Sequence, residues 1–294
     1  MQIQDTNEKH TQVLENGRMY YANEKIAYIL PHDIDECVRL EKQHYGLKYY
    51  FQGNFNAPVK KQLEEGITVL DAGCGPGYWT LDMAKDYPNS KFRGVDVSDF
   101  FPKKYKPDNC EFVIGNITET LPYEDDTFDY IHQRMLLLGL TSSSWDKCLK
   151  ELLRVLKPGG YIEIIDTDYK NSAFLKKKKK KKKNTVSEML ESRDIPADIP
   201  LQLEERILRT GYVNLVETRS FLPLNHGGEA GKLMWQDYYH GYLNVRPLMI
   251  KDNPEWNDPQ TYDLFIQKCA IEANSNKTSL NWHIFCAQKT LSSI

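Results

Sequence analysis

Val69-Leu70-Asp71-Ala72-Gly73-Cys74-Gly75-Pro76-Gly77 is the stretch that decides the fold. The run before it, Ile67–Asp71, is rich in β-branched residues and reads as a strand, and Tyr78 to Tyr87 after it reads as a helix. A glycine turn between strand and helix is the setting of a nucleotide-binding loop. Glycines let the chain turn sharply and bring its backbone close to a ligand with no Cβ in the way. Two details oppose a dinucleotide and with it an NAD-linked oxidoreductase. The fingerprint G-x-G-x-x-G needs glycine at 78, where Tyr78 stands. The Asp71 carboxylate sits at the mouth of the loop and would repel a pyrophosphate. A ligand with an ammonium and a sulfonium and no phosphate is attracted instead, and S-adenosylmethionine is such a ligand.

Strands and helices alternate outward from the loop. Lys91–Asp96, Cys110–Ile114, Phe128–Gln133 and Tyr161–Asp166 read as strands. Trp145–Leu156 reads as an amphipathic helix stopped by Pro158-Gly159-Gly160, and Val213–Phe221 and Leu280–Gln288 read as a last pair of strands. Strands spaced by helix-length segments imply a parallel α/β sheet with right-handed crossovers. Asp96 ends the strand after the loop, where an acid can accept both ribose hydroxyls. Val97 follows it. Asn116 and Ile117 end the next strand, where Asn116 Oδ1 can accept from an adenine amino group and Ile117 can cover the ring. Gln133 and Arg134 point to the methionine half, His132 is the candidate general base, and Asp166, with Asp168, ends the strand on the acceptor side.

Composition narrows the partners. The 294 residues carry 38 basic and 41 acidic side chains. Eight of the basic ones form Lys176–Lys183, leaving 30 against 41, so the body of the protein is strongly acidic. Such a body is a poor general binder of nucleic acid. The lysine run itself reads as a localisation or anion-binding patch, as a solvated low-complexity loop, or as a stand-in for undefined sequence. Six scattered cysteines have no metal-ligand spacing, so no metal site is expected, and they read as reduced thiols in the cytoplasm or nucleus. The longest apolar run, Met135 to Leu140, is too short for a bilayer.

The loop Asp71–Gly77 (D-x-G-x-G-x-G), the acid Asp96 and the turn Leu156–Gly160 (L-K-P-G-G) resemble class I S-adenosylmethionine-dependent methyltransferases over residues 66–169 and the final strand pair. Asn116 departs from the more usual aspartate. Leu30–Asp33 with Asp35 and Arg39, Asn54–Pro58 and Phe128–Arg134 resemble, more narrowly, the LaeA-like methyltransferases of fungal secondary metabolism. The resemblance implies a Rossmann-like seven-stranded sheet with the last strand antiparallel. It also implies S-adenosylmethionine held by Asp71, Gly73, Gly75, Gly77, Asp96, Val97, Asn116, Ile117, Gln133 and Arg134. The expected activity is methyl transfer to a small-molecule metabolite. The alternative is a regulatory methyltransferase working in a protein complex or on a protein acceptor.

Two additions flank this pattern: an N-terminal helical cap over 1–58, and a helical insertion over 222–279 within a methyltransferase domain of 59–294 that also carries the lysine-rich loop at 171–186. Residues 1 to about 18 are polar and read as disordered. In the cap, Asp33 and Glu36 fit a capping box, and Ile34, Cys37, Val38, Glu41 and Tyr45 recur at helical spacing. Aromatic enrichment in both additions predicts that they roof the acceptor site. Tyr49, Tyr50, Trp235 and Tyr239 would then lie nearest the methyl group, with His132 beneath.

Overall fold

A computed structural model describes residues 11–14, 17–22, 26–168, 186–250 and 252–291. The lysine run Lys176–Lys183 lies outside the described residues. The first elements among the described residues are the strands of a short antiparallel hairpin, β1 (Thr11–Val13) and β2 (Met19–Tyr21), so part of the segment expected to be disordered is paired. Then follow α1 (Ile34–Phe51), α2 (Lys60–Glu65), β3 (Thr68–Ala72), α3 (Tyr78–Asp86), β4 (Lys91–Asp96), β5 (Cys110–Ile114), β6 (Phe128–Arg134), α4 (Ser142–Val155) and β7 (Leu156–Asp168). The remainder is α5 (Val186–Glu191), α6 (Pro200–Thr210), β8 (Tyr212–Pro223), α7 (Glu229–Met249), α8 (Pro259–Ser275) and β9 (Ser279–Lys289).

Seven strands form one sheet in the order β5-β4-β3-β6-β7-β9-β8. β3, β4, β5, β6 and β7 pair in parallel, while β9 is antiparallel to both neighbours, β7 and β8. The expected Rossmann-like sheet with an antiparallel last strand is therefore present. Strand order reverses between β3 and β6, and a crevice opens at the carboxyl ends of strands at such a point. β3, β6 and the inner part of β7 are buried on both faces, as an inner parallel sheet requires.

Helix ends follow their local chemistry. Asp33 caps α1 by accepting from the Glu36 N–H at 3.0 Å, and Thr141 caps α4 by accepting from the Ser144 N–H. α4 turns Trp145, Cys148, Leu149, Leu152 and Val155 into the larger core, whereas α2 and α3 close the other face over Leu63, Val69, Met83 and Phe92. The L-K-P-G-G turn is part of the long strand β7, where a register shift relative to β6 accommodates it.

α1 departs from the expected pattern. Ile34, Val38 and Tyr45 are exposed, while Glu36, Arg39, Gln43, His44 and Leu47 are buried. The buried face is polar because it meets α7. Arg39 donates to Glu36 and, at 2.5 Å, to Asp237, and Gln43 Nε2 donates to the second Asp237 oxygen at 3.0 Å. Asn244 of α7 donates to Glu36 and accepts from Arg18, which also grips Asp33. The hairpin, α1 and α7 are thus held through one buried polar network.

Glu163 of β7 is fully buried and ties the chain after α1 to the sheet. Its Oε2 accepts from the backbone N–H groups of Asn56 and Ala57, both at 2.6 Å. Glu163→Leu strands these two donors, at a cost of roughly 1–3 kcal/mol for each one left buried and unpaired. The urea midpoint should fall clearly for Glu163→Leu and much less for Glu163→Gln, which keeps an acceptor. Equal midpoints for Glu163→Leu and wild type would show that the two N–H groups find other partners.

Candidate active site

A cavity of about 440 Å³ opens where the parallel strands end. The glycine loop forms one wall. Gly73 and Gly75 adopt positive φ, and a Cβ on Gly73 would collide with Leu136 at 2.6 Å, so the tight turn excludes other residues. Gly77 is not part of the wall. It starts α3 at φ 83°, where a Cβ would strike the Phe112 ring at 2.5 Å. Its role is to let loop and strand approach each other, which corrects its expected place against the ligand.

Asp71 and Asp96 both line the cavity. Asp71 Oδ2 accepts from the Thr80 hydroxyl at 2.6 Å. Asp96 Oδ2 accepts from the Gly75 N–H at 2.8 Å, and Oδ1 accepts from the backbone and hydroxyl of Ser98. Asp96 Oδ2 keeps capacity for another donor, whereas Oδ1 already has two. Burial raises both carboxyls above their usual range, against the pull of these hydrogen bonds. Val97, Asn116 and Ile117 complete this end. Asn116 Oδ1 is already taken by the N–H and hydroxyl of Thr118, so the group left for a ligand is its amide NH₂, a donor rather than the expected acceptor.

β6 divides its side chains by strand alternation. His132 and Arg134 line the cavity. Gln133 points to the opposite face, fully buried, where its Oε1 accepts from the Cys148 thiol of α4, and it does not line the cavity. Arg134 lies 3.0 Å from His44 Nδ1, and His44 Nε2 lies 3.2 Å from Asp82. Because a guanidinium only donates, Nδ1 is an acceptor and Nε2 carries the proton. Burial and the neighbouring Arg134 lower His44 to about 4, which keeps it neutral near pH 7. His132 stacks on Trp79 with ring centroids 4.0 Å apart, and its Nδ1 lies 3.3 Å from Glu163. Its Nε2 has no hydrogen-bond partner among the described residues.

Asp166 is not on the cavity wall. Its carboxylate accepts from the N–H groups of Leu137 and Thr167, each at 2.9 Å, so it holds the β6–α4 loop rather than facing an acceptor. The roof also differs from expectation. Tyr49 is exposed, Tyr50 donates to the Phe221 carbonyl, and Tyr239 donates to Asp263; none of these nor Trp235 lines the cavity. Tyr21, Tyr28, Glu36, Gln43 and His44 line it instead. No local motif marks these five residues as facing a ligand (Glu36 reads only as part of a capping box), because their place depends on how the hairpin and α1 fold over the sheet. Among the described residues no cluster of three or more potential metal ligands occurs, and no helix is long and apolar enough to cross a membrane.

The sheet order, the glycine loop and the acid ending β4 define a methyltransferase domain. A family model described as a methyltransferase domain matches residues 63–240, more than half of the chain, and the protein belongs to that family. It is 32% identical over 164 residues to the secondary metabolism regulator LAE1 of Cochliobolus heterostrophus, covering 54% of this chain and 52% of that one. It is 31% identical to the N-methyltransferase sirN of Leptosphaeria maculans, covering 47% and 49%. The chain spans about half the length of these curated relatives. In fold it is similar to phosphoethanolamine N-methyltransferase 2 of Haemonchus contortus in complex with S-adenosyl-L-methionine (TM-score 0.51, 17% identity, 85% and 57% covered). It is also similar in fold to the YcgJ protein of Bacillus subtilis (TM-score 0.53, 16% identity, 84% and 99% covered).

Burial pushes Asp166 up from 3.8 to about 7, against the pull of its backbone donors. The folded protein therefore keeps a proton there that the unfolded chain releases, and the stability this group contributes declines as pH rises from about 4 to about 7. His44 works in the opposite sense between about 4 and 6.5, so the comparison with Asp166→Asn isolates the aspartate. That variant, which mimics the protonated acid, should match wild type near pH 4 and exceed it at pH 8 in urea melts. Parallel stability profiles across that range would refute this account of Asp166.

Proposed function

We propose that this cavity holds S-adenosylmethionine and that the protein transfers its methyl group to a small-molecule metabolite. The observation that carries the reading is the charge of the wall: Asp33 and Glu36 are met by Arg18 and Arg39 from outside it, which leaves buried Asp71, half-buried Asp96 and Glu119 against the two cations Arg134 and Lys147. Such a wall suits a cationic ligand and disfavours a phosphate. When bound, S-adenosylmethionine supplies a methyl carbon activated by its sulfonium. Asp96 takes the ribose hydroxyls, the Asn116 amide donates to the adenine, Ile117 covers the ring, and Asp71 draws the ammonium toward Gly73 and Gly75. Tyr21, Tyr28 and α1 exclude water above it. His132, which lines the cavity and whose buried Nε2 has no partner among the described residues, is our candidate to take a proton from an acceptor. A preformed site of this kind acts mainly by holding the reacting groups together and excluding water.

Asp96→Ala should weaken binding of S-adenosylhomocysteine about 10- to 150-fold, the equivalent of roughly 1.5–3 kcal/mol for hydrogen bonds to a charged group. Calorimetry on the folded variant reads this directly, and wild-type affinity would remove the ribose assignment. A thermal-shift panel of S-adenosylmethionine, S-adenosylhomocysteine and NAD tests the donor reading. Stabilisation by NAD alone would overturn it.

A further inference from the structure

A second, smaller cavity of about 60 Å³ lies beside the first, and Tyr28, Leu40, Gln43 and Met135 line both. The two therefore share a wall. Across from that wall the smaller cavity is closed by Tyr238, Gly241, Tyr242 and Val245 of α7. An apolar cavity of about 150 Å³ takes a whole benzene, so a space of about 60 Å³ holds only part of a six-membered ring, the rest lying across the wall it shares with the first cavity.

Gly241 keeps that space open. A Cβ placed on it meets no heavy atom within 4 Å, and its φ is not in the left-handed region. Nothing in the backbone requires glycine there, and glycine inside a helix costs about 1 kcal/mol relative to alanine. What glycine contributes at this position is room. Gln43 supplies the polar feature. It is only 7% exposed, and its Nε2 is committed to Asp237. A carboxylate can only accept, so the amide orientation is fixed. No hydrogen bond holds Gln43 Oε1 among the described residues, so it is open to a donor, whether water or a ligand group. The nearby charge of Arg39 is already met by Glu36 and Asp237, which leaves the cavity suited to a neutral group.

We propose that this smaller cavity seats the inner edge of a single neutral aromatic ring of the methyl acceptor, with a ring hydroxyl or N–H donating to Gln43 Oε1 at the wall shared with the donor cavity. The faces of Tyr28, Tyr238 and Tyr242 supply the apolar surface. This inference deepens the donor-site reading and rests on it.

The test uses the full chain saturated with S-adenosylhomocysteine, with phenol and anisole as probes in ligand-observed NMR titrations. Phenol should bind saturably, and anisole, which has no O–H, should bind several-fold more weakly. Gly241→Leu should weaken phenol at least tenfold and Gly241→Ala by less, while both keep S-adenosylhomocysteine affinity within about twofold of wild type. Gly241→Ala should melt at or above the wild-type temperature, because a helical glycine is replaced by a residue whose Cβ meets no heavy atom within 4 Å. Phenol that fails to bind, or that binds Gly241→Leu as it binds wild type, overturns the ring site. Equal binding of anisole and phenol overturns the role of Gln43. Should S-adenosylhomocysteine not bind while phenol binds and responds to Gly241→Leu, the donor reading fails and the ring site stands.

Discussion

Arg39 is the pivot of the structure. Its guanidinium is buried between Glu36, one turn back on the same helix, and Asp237, which lies 198 residues further along the chain. Removing three charges from water is expensive, and the mutual attraction of such a cluster repays that cost only when nearly every donor and acceptor is matched. Here Tyr28, Asn244 and Gln43 complete the matching around the two carboxylates. The net stabilisation from such a cluster is small, yet losing one member costs about 3–5 kcal/mol because a buried charge is left alone. That asymmetry gives α1 one register against α7. The register in turn presents Glu36, Gln43 and His44 to the cavity.

This clamp also explains which parts of the structure could be read in advance. The glycine loop, the acid ending β4 and the parallel strands each depend on chemistry within a few residues or on a strict period, whereas the antiparallel final strand followed from the family resemblance. Asp71, Asp96, Asn116, Ile117 and Arg134 all reach the cavity wall as their positions imply. α1 misled because its apolar residues Ile34, Val38 and Tyr45 follow a helical spacing that ordinarily marks the buried face. The partner that makes the opposite, charged face the buried one comes from α7, and no local pattern encodes it. Gln133 fell on the wrong side of β6 for a simpler reason, since side chains of adjacent strand residues alternate and only His132 and Arg134 share the cavity face. The four aromatics named for the roof missed the cavity because aromatic enrichment marks packing as readily as a site: Trp256, Tyr262 and Phe265 pack among themselves at the base of α8, while other residues of the N-terminal cap, among them Tyr21 and Tyr28, line the cavity.

Charge distribution follows from the same geometry. The cavity gathers carboxylates from three separate elements, and the neutral His44 keeps Arg134 from being fully neutralised by Asp82. Arg134 is thereby oriented without an ion pair of its own among these contacts, facing the same space as Asp71 and subject to its attraction. A ligand with an ammonium and a carboxylate on one carbon would find both complements there: Asp71 for the cation and Arg134 for the anion. Nucleotides lack that pair of groups, whereas an amino-acid moiety has it. The arrangement of β3 and β6 as neighbours in the sheet, with Asp71 paired directly to His132, fixes the spacing of the two charges. Under the proposed donor reading, selectivity for an amino-acid end would follow from strand register, before any loop closes over the ligand.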